Sequence, residues 1–138
     1  MSFELHPQLN ADCFEMGIVN NCTLLLHQNA LVPWFILVPH TQQTEIFKIE
    51  SEQQFQLQQT INQIAEFIDA HFKPDKLNIA TIGNIVAQLH VHIIGRYKHD
   101  FCWPQPVWGQ TDARKYSPQI LHTIKQSLIQ KNIILTND

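Results

Sequence analysis

Residues 51–72 carry the most regular pattern in the chain. Leu57, Ile61, Ile64, Ala65, Ile68 and Phe72 recur at steps of three and four, which sets them along one stripe of an amphipathic helix. Ser51 with Gln54 fits a capping box at its start, and Pro74 stops it. Its glutamines fall mostly on the outer face, as plain solvated surface. A second, shorter stripe of Ile120, Leu121, Ile124 and Leu128 follows Ser117-Pro118, a cap and a first-turn proline that start a helix over about 117–130. Residues 5–12 fit a short helix with Pro7 in its first turn.

Elsewhere the period is that of strands. Residues 22–28 and 34–39 are apolar runs of strand length, joined by the hairpin-length connection Asn29 to Pro33. Residues 76–81 and 89–97 read as two more, joined around Gly83 and Asn84, while Gly17 and Asn20-Asn21 read as turns. Residues 101–109, FCWPQPVWG, hold too many prolines for either element and predict an ordered aromatic loop. Strands, long helix, strands, helix is the order of an α+β domain with an antiparallel sheet.

The alternation from Gln88 to Ile93 is strict. Leu89, Val91 and Ile93 share one face of the strand and belong against the 51–72 helix. Gln88, His90 and His92 share the other, spaced about 7 Å apart at each step. Helices covering that row would bury three polar groups, so it predicts a cleft or a partner subunit. Three readings fit: polar positions on a half-exposed strand, two nitrogen ligands of a metal site that needs more, or a nucleophilic imidazole with polar neighbours. A neutral imidazole attacks phosphorus well and leaves well, and a second imidazole with an amide beside it can hold phosphoryl oxygens and handle a proton.

Composition narrows the classes. The 138 residues suit one domain, 1–138, and a chain of this size buries roughly two-thirds of its unfolded surface without a staple. Charged residues make up 15%, so 16 glutamines and 9 asparagines supply much of the polar surface. A net charge of −3 argues against a nucleic-acid polymer as partner, but not against a small anion held by a few donors. Three cysteines without CxxC spacing suit free thiols in a reducing compartment. The first ten residues lack a signal-peptide core. The longest apolar run, Leu31 to Pro39, falls short of the roughly 20 residues that span a bilayer. A cytoplasmic protein away from membranes is expected. Four scattered glycines form neither GxGxxG nor a P-loop, and no serine lies in GxSxG.

The segment QLHVHII resembles the signature of the histidine-triad superfamily of nucleotide hydrolases and transferases, in which three histidines alternate with apolar residues. The upstream IGNIVAQ is similar to the family's loop before the triad, and the strand ending Val38-Pro39 to its strand before the first long helix. The likeness runs from about 22 to 109, and the aromatic loop WPQPVWG looks like a bacterial subgroup related to diadenosine-polyphosphate hydrolases. The resemblance implies a five-stranded antiparallel sheet, pairing in a homodimer into ten strands. It implies His90 as the nucleophile that takes up a nucleotide at its α-phosphate, and His92 as a contact to phosphate and leaving group. Gln88 stands at the first triad position, Asn84 near the phosphates, and Gln28 or Asn29 near the ribose. Substrates would be nucleoside phosphoramidates or dinucleoside polyphosphates. No cofactor is required, and magnesium enters only with a polyphosphate.

Two positions depart from the pattern. The first triad residue is Gln88 rather than histidine, and Trp34 stands where many triad hydrolases carry a histidine at the start of that strand. An amide cannot take up a proton near neutrality, so a relay through position 88 is in doubt. A nucleotide-binding protein of the same fold with weak or no turnover is the alternative that these departures favour. Arg96 reads as a surface residue at a strand end, and Trp103 and Trp108 as members of a packed aromatic loop. His27 and the other scattered histidines receive no role.

Overall fold

A two-residue turn at Asn20-Asn21, both at positive φ (46° and 64°), opens the sheet by joining β1 (Cys13–Val19) to β2 (Cys22–His27). Such turns match the right-handed twist of a hairpin, and asparagine tolerates that conformation. The structure is a computed structural model describing residues 2–135. β3 (Trp34–Pro39) pairs antiparallel with β2, β5 (Val91–Arg96) with β3, and β4 (Lys76–Ala80) with β5. The order across the five-stranded sheet is β1-β2-β3-β5-β4. α1 (Pro7–Asp12) precedes the sheet, α2 (Ser51–Phe72) crosses between β3 and β4, and α3 (Pro118–Gln130) follows β5. Among the described residues no helix is long and apolar enough to cross a membrane.

The expected elements recur with three corrections. Gly17 is not a turn. It lies inside β1, a strand that residue pattern missed, at a register shift against β2 with φ +155°. A glycine at a bulge breaks the alternation by which a strand is recognised. The capping box at Ser51 is absent: Glu50 is the N-cap without a side-chain bond, and Gln54 Nε2 donates to Ile49 O. The predicted 89–97 strand begins only at Val91, because the ladder to β3 starts with Val91 opposite Leu37. Ser117 does cap α3, accepting from Ile120 N at 3.2 Å, although Ile120 itself faces solvent.

Alternation divides the core between the faces of the sheet. Leu24, Leu26, Phe35, Leu37, Val91 and Ile93 point to α2 and α3, where they meet Leu57, Ile64, Ile68, Ile124 and Leu128. Leu25, Trp34, Ile36, Val38 and Ile94 point the other way, toward Leu9 of the short α1, Cys13 at the start of β1, and Val86 and Val107 of loops. Long helices thus seal one face. Loops cover the other, and a cover made of loops leaves room for a cleft.

Gly95 fixes how closely α2 and the chain around β3 and β4 approach β5. A Cβ there would stand 2.8 Å from Pro33 Cγ, 3.1 Å from Ile68 Cγ2 and 3.3 Å from Pro74 Cβ. Two of these are ring atoms of prolines and cannot turn aside. Gly95→Ala is expected to cost roughly 1–3 kcal/mol by overpacking, read as a lower urea midpoint with an unchanged m-value.

Candidate active site

Three neighbouring strands each send an aromatic ring to the loop-covered face. The β2–β3 register pairs Leu26 with Phe35, and one further step sets His27 across from Trp34. Their rings stack at 4.1 Å with 10° between planes. In the β3–β5 register Ile36 faces His92 and Trp34 faces Ile94, so Trp34 and His92 are diagonal neighbours on one face. Trp34 Nε1–H donates to His92 Nδ1 at 2.9 Å. Trp108 stands edge-on over both, 5.0 Å from His92 and 6.0 Å from Trp34 between ring centroids.

These bonds assign protons. An indole N–H is only a donor, so Nδ1 of His92 is an acceptor and the neutral ring carries its hydrogen on Nε2. Burial, then the neighbouring His90 and His27, lower the His92 pKa to about 3. His27 Nδ1 likewise accepts, from Asn29 N–H at 3.1 Å, and burial lowers its pKa. His90 is arranged the opposite way. Its Nδ1 lies 2.6 Å from Gln88 O, and a carbonyl only accepts, so His90 carries its hydrogen on Nδ1 and keeps the Nε2 lone pair free. The His90 and His92 rings are 4.9 Å apart, and both residues are buried, at 5% and 6% exposure.

A cavity of about 450 Å³ runs along this row between Leu9, Cys13, Ile36 and Val86, with Asn84 and Trp108 at its borders. A second, about 420 Å³ and lined by Glu45, Asn84 and Gln88 among others, also reaches His90. A third recess of about 560 Å³ shares Asp12, His27, Trp34 and Trp108 with the first and adds Arg114 and Lys115. Cys13 is no rival nucleophile, because burial, followed by the charge of Asp12, pushes its thiol up to about 12.

The expected site residues divide. His90, His92 and Asn84 come together. The Gln88 side chain does not complete a row with the histidines: its Oε1 accepts from His6 N and its Nε2 donates to Glu4 O, both at 2.8 Å. Gln88 reaches His90 through its main-chain carbonyl. Gln28 and Asn29 line the third recess, yet Gln28 Nε2 donates to Ala11 O. Asn29 accepts from Leu31 N and Arg114 N and donates to Asp112 O, so it staples a loop. Arg96 is no surface residue: it is 1% exposed and paired with Asp100 at 2.8 Å. His27 was missed, although alternation from Leu25 sets it on the face of Trp34. Among the described residues no group of His, Cys, Asp and Glu could hold a metal ion.

The HIT domain family model matches residues 8–99. Among solved structures, a histidine triad protein from Bradyrhizobium japonicum is 34% identical, with 96% of this chain and 99% of that one covered and a TM-score of 0.91. One from Marinobacter aquaeolei is 35% identical over 96% and 99%, with a TM-score of 0.90. One from Sinorhizobium meliloti is 32% identical over 93% and 96%, with a TM-score of 0.88. No curated protein matches the chain.

The lowered His92 pKa has a consequence for stability. Between the ordinary value of 6.5 and about 3 the unfolded chain binds a proton at this ring and the native chain does not. Stability therefore falls as pH drops through that window, and His27, His40 and His71, also lowered, act in the same direction. Asp100, held at about 2, loses its contribution only below about pH 4. Urea midpoints measured from pH 7.5 to 4.5 should decline, and His92→Asn should make the decline shallower.

Proposed function

From the premise that this chain belongs to the histidine-triad family, we propose that it cleaves nucleotide conjugates at the α-phosphate through a nucleotidyl intermediate on His90. The observation that carries this reading is the opposed tautomers of two neighbouring imidazoles. His90 Nδ1–H is held by a carbonyl and its Nε2 lone pair is free, while His92 keeps an Nε2–H to donate. The first is a nucleophile and the second a hydrogen-bond donor for a phosphoryl oxygen. In the first step the His90 Nε2 pair forms the N–P bond, and the bond to the leaving group breaks. Water then attacks phosphorus, the N–P bond breaks, and the nucleoside monophosphate departs. The positive charge that His90 gains on attack lies along Nδ1–H toward the Gln88 carbonyl.

Asn84, exposed where two cavities meet at His90, would donate to a phosphoryl oxygen. The apolar cavity would take the nucleoside. Gln28 keeps a free oxygen for a ribose hydroxyl, whereas Asn29 is spent on its loop. Magnesium, where used, would enter bound to a polyphosphate. We further propose a cytoplasmic homodimer. β4 is an edge strand and carries the half-exposed Ile79, while Phe55 on α2 is 68% exposed. Covering these faces in a second copy would join the sheets into ten strands. A nucleotide-binding protein without turnover is the second reading. It is favoured by Gln88, a non-titratable amide at the first triad position whose side chain is bonded to the N-terminal segment rather than to His90.

A substrate labelled in its nucleotide part should leave the label on His90 after a rapid quench, in a bond stable to base and lost in acid. His90→Ala should abolish the label and lower turnover by about 1000-fold or more, since no other group supplies the covalent route. Unchanged hydrolysis by His90→Ala refutes the mechanism, and binding without turnover by the native protein selects the second reading. Light scattering over a concentration series should give twice the chain mass, and a monomer throughout refutes the dimer.

A further inference from the structure

The imidazoles at the cleft differ in what they can donate. Protonating His92 would put a hydrogen on Nδ1, where Trp34 Nε1–H already points from 2.9 Å. Two donors would face each other in a buried setting. Protonating His27 would do the same against Asn29 N–H at 3.1 Å. His90 has its Nδ1 hydrogen on Gln88 O, and its Nε2 is the atom that binds phosphorus. Neither His92 nor His27 can therefore become the imidazolium that would serve as a general acid, and the neutral Nε2–H of an imidazole is far too weak an acid to replace it. Gln88, tied at both ends of its amide, supplies no proton either. The nearby carboxylates, Asp12 in the cleft and its neighbouring recess and Glu45 in the second cavity, accept hydrogen bonds when ionised, and both Asp12 oxygens accept from Gln8 Nε2 at 3.0 Å. Arg114 and Lys115 line the neighbouring recess, alongside Asp12 and Asp112, and not the cavity that holds His90 and His92. They offer positive charge to the far end of an anionic leaving group rather than a proton at the scissile bond.

We propose that this site selects substrates whose leaving group departs as an anion without taking up a proton: a phosphate or polyphosphate joined to the nucleotide by an anhydride bond, rather than an amine or an alcohol. The inference rests on the hydrolase reading above and narrows it. The balance is simple. The N–P bond forms from the His90 Nε2 pair, the P–O bond breaks with its pair going to the leaving oxygen, and no proton moves. In the second step water forms the new P–O bond, the N–P pair returns to Nε2, and the proton of the attacking water passes to solvent. Trp34 is a positioning residue in this scheme: it holds His92 as a neutral donor and never exchanges a proton with it.

A leaving-group series tests the proposal in the native protein. Adenylate and guanylate would each be presented as a dinucleoside polyphosphate, a p-nitrophenyl ester, a phenyl ester and an alkylamine phosphoramidate. General-acid assistance is worth about 100-fold or more. Without it, the anhydride and the p-nitrophenyl ester should exceed the phenyl ester and the amidate by at least about that factor. An amidate turned over within about tenfold of the anhydride overturns the proposal. Label on His90 from the p-nitrophenyl ester shows, separately, that the hydrolase reading holds whatever the slope, and its absence with every substrate removes that reading instead. Nitrogen-15 NMR of the ligand-free protein gives a readout independent of turnover. His92 Nδ1 should stay unprotonated between pH 5 and 8, and protonation within that range overturns the proposal. Trp34→His replaces the indole with a group that can pass a proton, and should raise the amidate rate relative to the anhydride. A folded Trp34→His protein with an unchanged ratio counts against the role given to Trp34.

Discussion

One hydrogen bond between two strands organises the site: the indole of Trp34 on the imidazole of His92. It exists because the antiparallel register makes the two residues diagonal neighbours on one face of the sheet. A side chain with a single donor and no acceptor dictates the tautomer of its partner without joining in its chemistry. The His27 stack behind Trp34 and the Trp108 edge above it hold the indole in plane with that task. The dry surroundings that make this bond firm also make a charge on His92 costly.

The two faces of the sheet divide labour in a way that the core composition explains. Where α2 and α3 pack, the apolar layer is continuous, and the one buried polar side chain of α2, Thr60, is bonded to the helix's own Gln56 O. The opposite layer is built from single residues on loops, and its gaps are the cavities. Burial of His90 and His92 is thus tolerable only on that second face, where each has a hydrogen-bond partner at Nδ1.

Much of this was legible in the sequence, and for stated reasons. The stripe from Leu57 to Phe72 marked α2, and the alternation through Val91 and Ile93 put His90 and His92 opposite the helices, while Leu89, which precedes the strand, is buried outside the helix-packed cluster. Gln88 escaped the alternation because the strand had not yet begun, so its side chain was free to answer the backbone of residues 4 and 6. Arg96 was misread for a related reason: an arginine at a strand end is usually wet, and its partner Asp100 lies in a loop whose path no periodicity encodes. The meeting of His27 with Trp34 depends on the register of a hairpin, which follows from the pairing of strands rather than from either residue.

The Arg96–Asp100 pair bears on how the aromatic loop could change over time. Asp100 collects Arg96, and the amides of Tyr97, Cys102 and Trp103, into one knot at the loop's root. Burial alone would raise that carboxyl, yet Arg96 and the amides hold it at about 2. Arg96 also reaches Asn78 of β4, so the knot is anchored to two strands. The loop enters toward Trp108 from an anchorage that owes nothing to the histidines, and it is fastened again beyond Trp108 by Asn29. Such a loop is a module: its outer residues can be exchanged or lengthened to suit a new ligand while the strand carrying the reactive imidazole stays where it is.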